Sequence, residues 1–174
     1  MSRRLLGILR GERGFGLVEL LVAILILNIG LLGLLSAIAS GTTAVRRASR
    51  IATASTLADK QMELYRALTY GAIALDPSTL PATAPYTTDS AYSASQVTLT
   101  CSGAVASNPQ CNASQSLTGP DHGTYRIDTY IVSYPPTLER RDIKRVTIVV
   151  RDSTHLANIA LARLSSSFDL STGS

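Results

Sequence analysis

The first candidate for chemistry in this 174-residue sequence is a carboxylate at the edge of a long apolar stretch. Glu19 directly precedes the run Leu20–Ala39, which has twenty residues without charge and only Asn28 and Ser36 as polar side chains. Twenty helical residues extend about 30 Å, which is the thickness of the hydrocarbon core of a bilayer. A carboxylate is costly to place in lipid, so we expect Glu19 to have a partner or a function there.

A short basic segment precedes the apolar run. Residues 1–14 hold four arginines and one glutamate, and they account for +3 of the net charge of +4. Residues 15–174 therefore carry +1, which gives no argument for nucleic-acid binding. Basic flanks stay in the cytoplasm, so the segment is expected to insert with its N-terminus inside. An ordinary signal peptide has a shorter apolar region and a small-residue cleavage site, which Ala37, Ala39 and Ser40 could mimic.

The residues that lead to Glu19 resemble the N-terminal signal of the type IV prepilins and pseudopilins. They read Gly14-Phe15-Gly16-Leu-Val-Glu19, with a glycine, an aromatic residue and a glutamate five positions after that glycine. The resemblance implies that a prepilin peptidase cuts between Gly14 and Phe15 and that the new amine of Phe15 is methylated. It also implies that Glu19 serves fibre assembly. Gly16 departs from the family, where threonine is more usual, but the defining residues are intact.

The helix is expected to continue beyond the membrane. Residues 42–68 contain no proline or glycine, and small or apolar side chains recur there at steps of three and four residues. With a stop at Tyr70-Gly71, the helix has about 55 residues, apolar on all sides at first and then on one stripe. Arg46, Arg47 and Arg50 lie just beyond the apolar run, either against lipid headgroups and acidic neighbours or on a solvated face. The stripe comprises Ala44, Ala48, Ile51, Ser55, Ala58, Met62, Tyr65 and Leu68.

Both cysteines, Cys101 and Cys111, lie in the part of the chain that is expected to be exported. Residues 71–112 are rich in proline, serine, threonine and alanine, which predicts a loop region with one strand at Ser95–Cys101. Two cysteines ten residues apart in an exported chain favour a disulfide. A metal site would need further ligands, and no histidine, aspartate or glutamate lies between them. A redox pair is usually closer, as in Cys-x-x-Cys.

The last third of the chain has the pattern of a β-sheet. Strands are predicted at Thr124–Tyr134, Ile143–Arg151 and Leu156–Phe168. This order favours an antiparallel meander, whose apolar face the helical stripe would bury. The predicted fold class is α+β, with one long N-terminal helix packed on a small antiparallel sheet, which is also the pilin fold implied by the resemblance. We expect a leader at residues 1–14, a membrane or fibre-core half of the helix at 15–40, an amphipathic half at 41–70 and an exported domain at 71–174.

Little in the sequence supports catalysis. His122 and His155 stand beside turn-like or loop residues and are expected at the surface, and no motif for a nucleophile, a metal centre or a phosphate loop is present. We therefore predict no enzyme activity, no catalytic residue, no metal and no cofactor. The charged stretch Glu139–Arg145 could contact DNA phosphates, but its two acids and its lack of interleaved aromatic residues favour a solvated hairpin.

These observations predict a structural subunit of a type IV pilus-like fibre. Ile29–Leu34 and Leu57–Arg66 are similar to the minor pilin PilV and to type II secretion pseudopilin I, which implies fibre priming, a tip position or adhesion. The implied partners are other pilin subunits through the N-terminal helix, the prepilin peptidase and the inner-membrane assembly platform. The chain would span the membrane first and enter a cell-surface fibre afterwards. The alternatives are a type II secretion pseudopilin and an N-terminally anchored binding domain that does not polymerise.

Overall fold

A computed structural model of the protein describes residues 16–101, 108–135, 141–154 and 160–169. A 50-residue helix, α1 (Leu17–Arg66), comes first and ends before the predicted stop at Tyr70-Gly71. Short 3-10 turns follow at Tyr70–Ala72 and Pro77–Thr79. The strands of the described chain are β1 (Ser114–Thr118), β2 (Thr124–Tyr134), β3 (Ile143–Asp152) and β4 (Ala162–Asp169). The predicted α+β, pilin-like fold is confirmed.

The strands form one antiparallel sheet in the order β1-β2-β3-β4. Each strand pairs with the next one along the chain, and the β2–β3 ladder begins with Tyr125 opposite Asp152. The sheet is therefore the predicted meander, with β1 and β4 at its edges. The last strand was predicted from Leu156 onward. Residues 155–159 lie outside the described residues, and β4 begins at Ala162.

The chain divides into two compact units, Met1–Val45 and Arg46–Ser174. In the first unit, the described residues are helical from Leu17 onward and exposed along their whole length. In the second unit, the remaining part of α1 packs on one face of the sheet. Odd-numbered residues of β2 form that face, because side chains alternate along a strand. The shared core contains Ala54, Ala58, Met62 and Tyr65 from the helix, with Tyr125, Ile127, Ile131, Val146, Ile148, Val150 and Phe168 from the sheet.

The buried face of the helix differs from the predicted stripe. Ser55 is exposed and Ala54 is buried in its place, while Gln61 joins the buried face with an exposed fraction of 3%. Hydrogen bonds explain the burial of Gln61. Its Nε2 donates to the carbonyl oxygen of Pro109 at 2.9 Å, and its Oε1 accepts from Nε2 of Gln115 at 2.8 Å. A pattern of apolar residues does not predict such a position, since the partners lie far away in the sequence.

Ser95–Cys101 does not form a strand of the sheet, contrary to the prediction. The backbone of Leu75 donates to the carbonyl of Val97 and accepts from the N–H of Leu99. The N–H of Val97 instead donates to the carbonyl of Ile131 in β2. The segment therefore divides its hydrogen bonds between two partners and makes only isolated bridges. The strands beside β2 are β3 and β1, and β1 begins just after the loop region predicted at residues 71–112.

The second face of the sheet is covered by the chain between the helix and β1. The ring of Tyr86 stacks on Tyr130 of β2, with 4.4 Å between the ring centroids. The Tyr86 hydroxyl donates to the carbonyl of Thr129 at 2.8 Å, and the Tyr130 hydroxyl donates to the carbonyl of Tyr86 at 3.1 Å. All of these groups are buried, so the sheet has a protein layer on both faces.

The turn between β1 and β2 packs directly on the helix. A Cβ atom added to Gly119 would lie 2.8 Å from Cγ2 of Thr53 on the helix and 2.8 Å from the ring of Tyr125. It would also lie 2.7 Å from Oδ1 of Asp121. Neither a rigid ring nor a branched helix side chain can give way without moving its element. Glycine is therefore required here for close approach of the turn to the helix.

Gly119→Ala is expected to lower the free energy of unfolding by about 1–3 kcal/mol, because an extra methyl group in a packed site forces its neighbours apart. Gly71→Ala is the matched control, since nothing lies within 4 Å of the added Cβ at Gly71. Thermal unfolding of the full chain in detergent, followed by circular dichroism, measures the difference. Equal melting temperatures for the two variants would show that the turn does not need to approach the helix closely.

Candidate functional site

The described chain places Glu19 in the first turn of α1. The N–H of Leu20 donates to the carbonyl of Gly16 at 3.1 Å, so the backbone at Glu19 already belongs to the hydrogen-bonded helix. A negative side chain in this position is favoured by the helix dipole. Gly14 and Phe15 lie outside the described residues, and cleavage and methylation there stay predictions.

The helix around Glu19 presents apolar side chains on every side. Leu17, Leu27 and Leu32 expose 76%, 71% and 67% of their surface in this chain. The helix is long and apolar enough to cross a membrane, with a mean hydropathy of 2.6 in its most apolar window. Exposed apolar surface on this scale marks contact with lipid or with other apolar helices. This segment therefore needs a covering that the described chain does not supply.

Polar side chains in this helix bond to its own backbone. The amide nitrogen of Asn28 donates to the carbonyl of Ile24 at 2.8 Å, and the hydroxyl of Ser40 donates to the carbonyl of Ser36 at 3.0 Å. Lipid offers no hydrogen-bond partner, so a polar group must find one within the protein. The bond of Asn28 satisfies its side chain within the apolar run, and Ser40 makes a bond of the same kind just beyond the end of the run.

Arg50 contacts the folded domain. Its guanidinium forms an ion pair with the carboxylate of Asp152 at the end of β3. The side chain of Arg50 is still 51% exposed, so this pair contributes little to stability. Arg46 and Arg47 are exposed. Their exposure is compatible with both predictions, contact with lipid headgroups or acidic neighbours and a position on a solvated face.

Cys101 and Cys111 form the predicted disulfide. Asp76 ties both ends of this bridge to the fold, since its carboxylate accepts the N–H of Cys101 and its own N–H donates to the carbonyl of Cys111, each at 2.9 Å. The hydroxyl of Ser78 and the backbone N–H groups of Cys101 and Ser78 hold the pKa of Asp76 below its usual range. The role of Asp76 was not predicted from the sequence. Its signal is the capping pattern Asp-Pro-Ser, in which the aspartate accepts from the N–H two residues later.

A buried ion-pair network lies on the second face of the sheet. One guanidinium nitrogen of Arg151 lies 2.6 Å from the carboxylate of Asp128, and another contacts Asp89. Arg126 and Arg163 each add a second cation, 2.8 Å from Asp128 and from Asp89 respectively. The side chains of Arg151, Asp89 and Asp128 are at most 6% exposed. These charges are stable in the interior because each has an opposite partner.

The electrostatic environment of Asp89 reflects this network. Burial favours the neutral acid, but the N–H of Ala91 and the guanidinium groups of Arg163 and Arg151 outweigh it and lower the pKa of Asp89. Asp89 and Arg151 are 62 residues apart, so no local pattern joins them. The pair Arg126 and Asp128, two residues apart on one face of a strand, is the part of the network that alternation could have revealed.

The charged stretch Glu139–Arg145, whose last three residues begin β3, is partly tied to the fold, which corrects the prediction of a solvated hairpin. The ammonium of Lys144 donates to the carbonyl of Tyr70 at 2.7 Å and to that of Ile73 at 3.0 Å. It also lies 4.6 Å from the centroid of the Tyr70 ring. Burial lowers the pKa of Lys144 and raises the pKa of Tyr70 to about 12. Residues 139 and 140 lie outside the described residues, and the contacts of Lys144 give no support to DNA binding.

The described residues show no arrangement typical of a metal site, since none of their histidines, cysteines, aspartates or glutamates gather in a group of three that could hold an ion. His122 lies in the β1–β2 turn with a positive φ of 57°. His155 falls outside the described residues. His122 is exposed, as predicted.

Comparison with known families assigns the start of the chain. Residues 9–35 match the prokaryotic N-terminal methylation motif. No curated protein and no solved structure matches the chain. The matched range includes Gly14, Phe15 and Glu19 and extends into the exposed apolar part of α1. The chain therefore carries a type IV prepilin-like N-terminal methylation motif, followed by a pilin-like α+β domain.

Proposed function

We propose that this protein is a minor pilin, a structural subunit of a type IV pilus-like fibre. The observation that carries the proposal is the exposed apolar helix, which begins inside the methylation motif. The same helix ends in the core of a folded domain with a disulfide. A simple membrane anchor needs only the first of these features. A fibre subunit needs both, because its apolar helix packs with other subunits while its domain faces the outside.

The proposed sequence of events begins in the membrane. The arginines of residues 1–14 keep the N-terminus in the cytoplasm, where a prepilin peptidase removes this leader after Gly14. The amine of Phe15 is then methylated. The inner-membrane assembly platform transfers the subunit into the fibre, where other pilin helices replace lipid around its apolar surface. The disulfide fits the oxidising conditions outside the cytoplasm.

Gly14→Val is expected to block processing, because the bulky branched side chain replaces the glycine at the cut. Mass spectrometry should find full-length protein in the membrane for this variant and a methylated Phe15 start for the wild type in sheared fibres. Gly16→Thr is the matched control. It introduces the residue more usual in the family at a site where nothing lies within 4 Å of an added Cβ, and it should be processed normally. A mature protein that begins near Ser40 would show an ordinary signal peptide instead.

The same experiment separates the alternatives. A cut after Gly14 supports a pilin or a pseudopilin over the N-terminally anchored binding domain that does not polymerise. Recovery of the processed chain in sheared surface fibres supports a pilin. Retention of the processed chain in the cell envelope, with none in the sheared fraction, supports a type II secretion pseudopilin.

A further inference from the structure

A cavity of about 380 Å³ opens on the second face of the sheet. One wall is the segment Ser90, Ala91, Tyr92 and Ser93, and the floor is formed by β2, β3 and β4. This volume lies in the range of small-molecule sites in proteins. The cavity belongs to the unit Arg46–Ser174 and lies on the face of the sheet opposite the helix.

A pair of hydroxyl groups forms the centre of the floor. Thr147 of β3 stands opposite Ser165 of β4, and their hydroxyl oxygens are 2.9 Å apart. Arg145 and Arg163 each precede one of these residues by two positions and therefore share their face of the sheet. Because β3 and β4 are antiparallel, the arginines lie at opposite ends of the floor. Their Cα atoms are separated by about 13 Å along the strands at the usual strand rise.

The two arginines are oriented by the protein. Arg163 is 2.8 Å from both carboxylate oxygens of Asp89, yet its side chain stays 39% exposed. The guanidinium of Arg145 lies 4.9 Å from the centroid of the Tyr134 ring, and Nη1 donates to the Tyr134 hydroxyl at 3.3 Å. Among the described residues that line the cavity, none is acidic. The lining therefore favours a ligand with negative charge.

The rest of the lining indicates what else the ligand carries. Hydroxyl groups of serine, threonine and tyrosine both donate and accept hydrogen bonds, which suits a ligand with several hydroxyl groups of its own. The ring of Tyr92, which is 39% exposed, offers a flat apolar face against which the C–H bonds of a sugar ring can pack. A bare phosphate ion would fill only a small part of the cavity and would leave most of these groups unused. The hydroxyl-bearing residues of the lining are Ser90, Tyr92, Ser93, Tyr134, Thr147 and Ser165.

We propose that this cavity binds an acidic sugar, a saccharide unit that bears a carboxylate. Arg145 binds the carboxylate, and the Thr147–Ser165 floor and the Tyr92 ring bind the hydroxylated ring. The site does not use Glu19 or any residue of the first unit. It therefore stands whether or not the chain enters a fibre.

Calorimetric titration of the purified full chain in detergent tests the proposal, with D-glucuronate, glucose and inorganic phosphate as probes. Glucuronate should bind saturably, and both glucose and phosphate should bind more weakly. Arg145→Gln should weaken glucuronate binding about tenfold, which corresponds to the loss of one charged hydrogen bond. Arg66→Gln is the matched control, since Arg66 is an exposed arginine on the helix, away from the cavity, and it should leave binding unchanged.

Three results would overturn the acidic-sugar site. They are the absence of saturable glucuronate binding at millimolar concentrations, equal affinity for glucose and glucuronate, and phosphate binding as tight as that of glucuronate. Equal affinity in Arg145→Gln and Arg66→Gln would show that the sugar binds elsewhere. Arg145→Lys should keep part of the affinity, and melting temperatures measured for each variant separate a lost contact from a lost fold.

Discussion

Arg151→Met should destabilise the domain that contains the sheet by about 3–5 kcal/mol, the usual effect of breaking a buried ion pair from one side. Methionine fills much of the volume of arginine but provides no hydrogen-bond donor. Asp128 and Asp89 would each lose one of their two arginine partners while staying buried. The side chain of Asp128 is fully buried, so water cannot replace the contact that it loses.

The near-ultraviolet circular dichroism of tyrosine is a suitable readout of this variant. The chain has no tryptophan, and the stacked rings of Tyr86 and Tyr130 lie on the same face of the sheet as the ion pairs. Arg66→Met is the matched control, because it breaks a pair with Glu63 in which both side chains are more than half exposed. Its expected cost is below about 1 kcal/mol. An equal loss in the two variants would show that the network does not support the fold.

Low pH should weaken the same ion-pair network and destabilise the domain. The pKa of Asp89 is lower in the folded protein than its unfolded value of about 3.9, because Ala91 and the arginines outweigh its burial. Such a group adds stability that is present above the unfolded pKa and is lost as the pH falls through the folded pKa. The wild type should therefore lose stability below about pH 4. The loss should be smaller in Arg151→Met, where one of the cations that lower this pKa is gone.

The fold could be predicted where its determinants are local. β2 was expected at Thr124–Tyr134 and is found there, because branched and aromatic residues fill it. β1 has the sequence Ser-Gln-Ser-Leu-Thr, which is polar apart from one leucine, and it is an edge strand whose one neighbouring strand is β2. Propensity does not reveal such a strand. Ser95–Cys101 shows the converse, since its alternation is that of a strand while its backbone bonds go to two partners.

The candidate sites also differ in whether their residues lie close together in the sequence. The motif around Glu19 and the disulfide depend on a few residues close together in the sequence, so both could be inferred from it. The ion-pair network joins Asp89 to Arg151 and Arg163, and the cavity joins residues 90–93 to the sheet, so the fold alone brings the parts of each site together. Single residues of these sites looked like ordinary loop and strand residues. Only the pairing of β2, β3 and β4 gives them a common surface.

Glu19→Ala is expected to give a cleaved, stable, membrane-resident protein that fails to enter fibres, even beside wild-type copies. After loss of the leader, the chain would begin with the amine of Phe15, four residues and about one helical turn before Glu19. Both charges then lie close to the apolar core, where an unpaired charge is costly. If Glu19 neutralises the amine of a neighbouring subunit, its removal leaves that amine unpaired inside the fibre. Incorporation should fall at least about tenfold, since truncating one side of a buried charge pair costs about 2–5 kcal/mol.

The competing explanation is that Glu19 pairs with the amine of its own chain. This local pairing would be lost equally in the membrane and in the fibre, and Glu19→Ala would then enter fibres at a near-normal level. Sheared fibres probed for the variant, at equal membrane abundance, decide between the two. Glu63→Ala is the matched control, because it removes an exposed carboxylate from the same helix and should leave incorporation unchanged. Normal incorporation of Glu19→Ala would therefore assign Glu19 to the solubility of its own chain in the membrane, and a selective loss would assign it to docking between subunits.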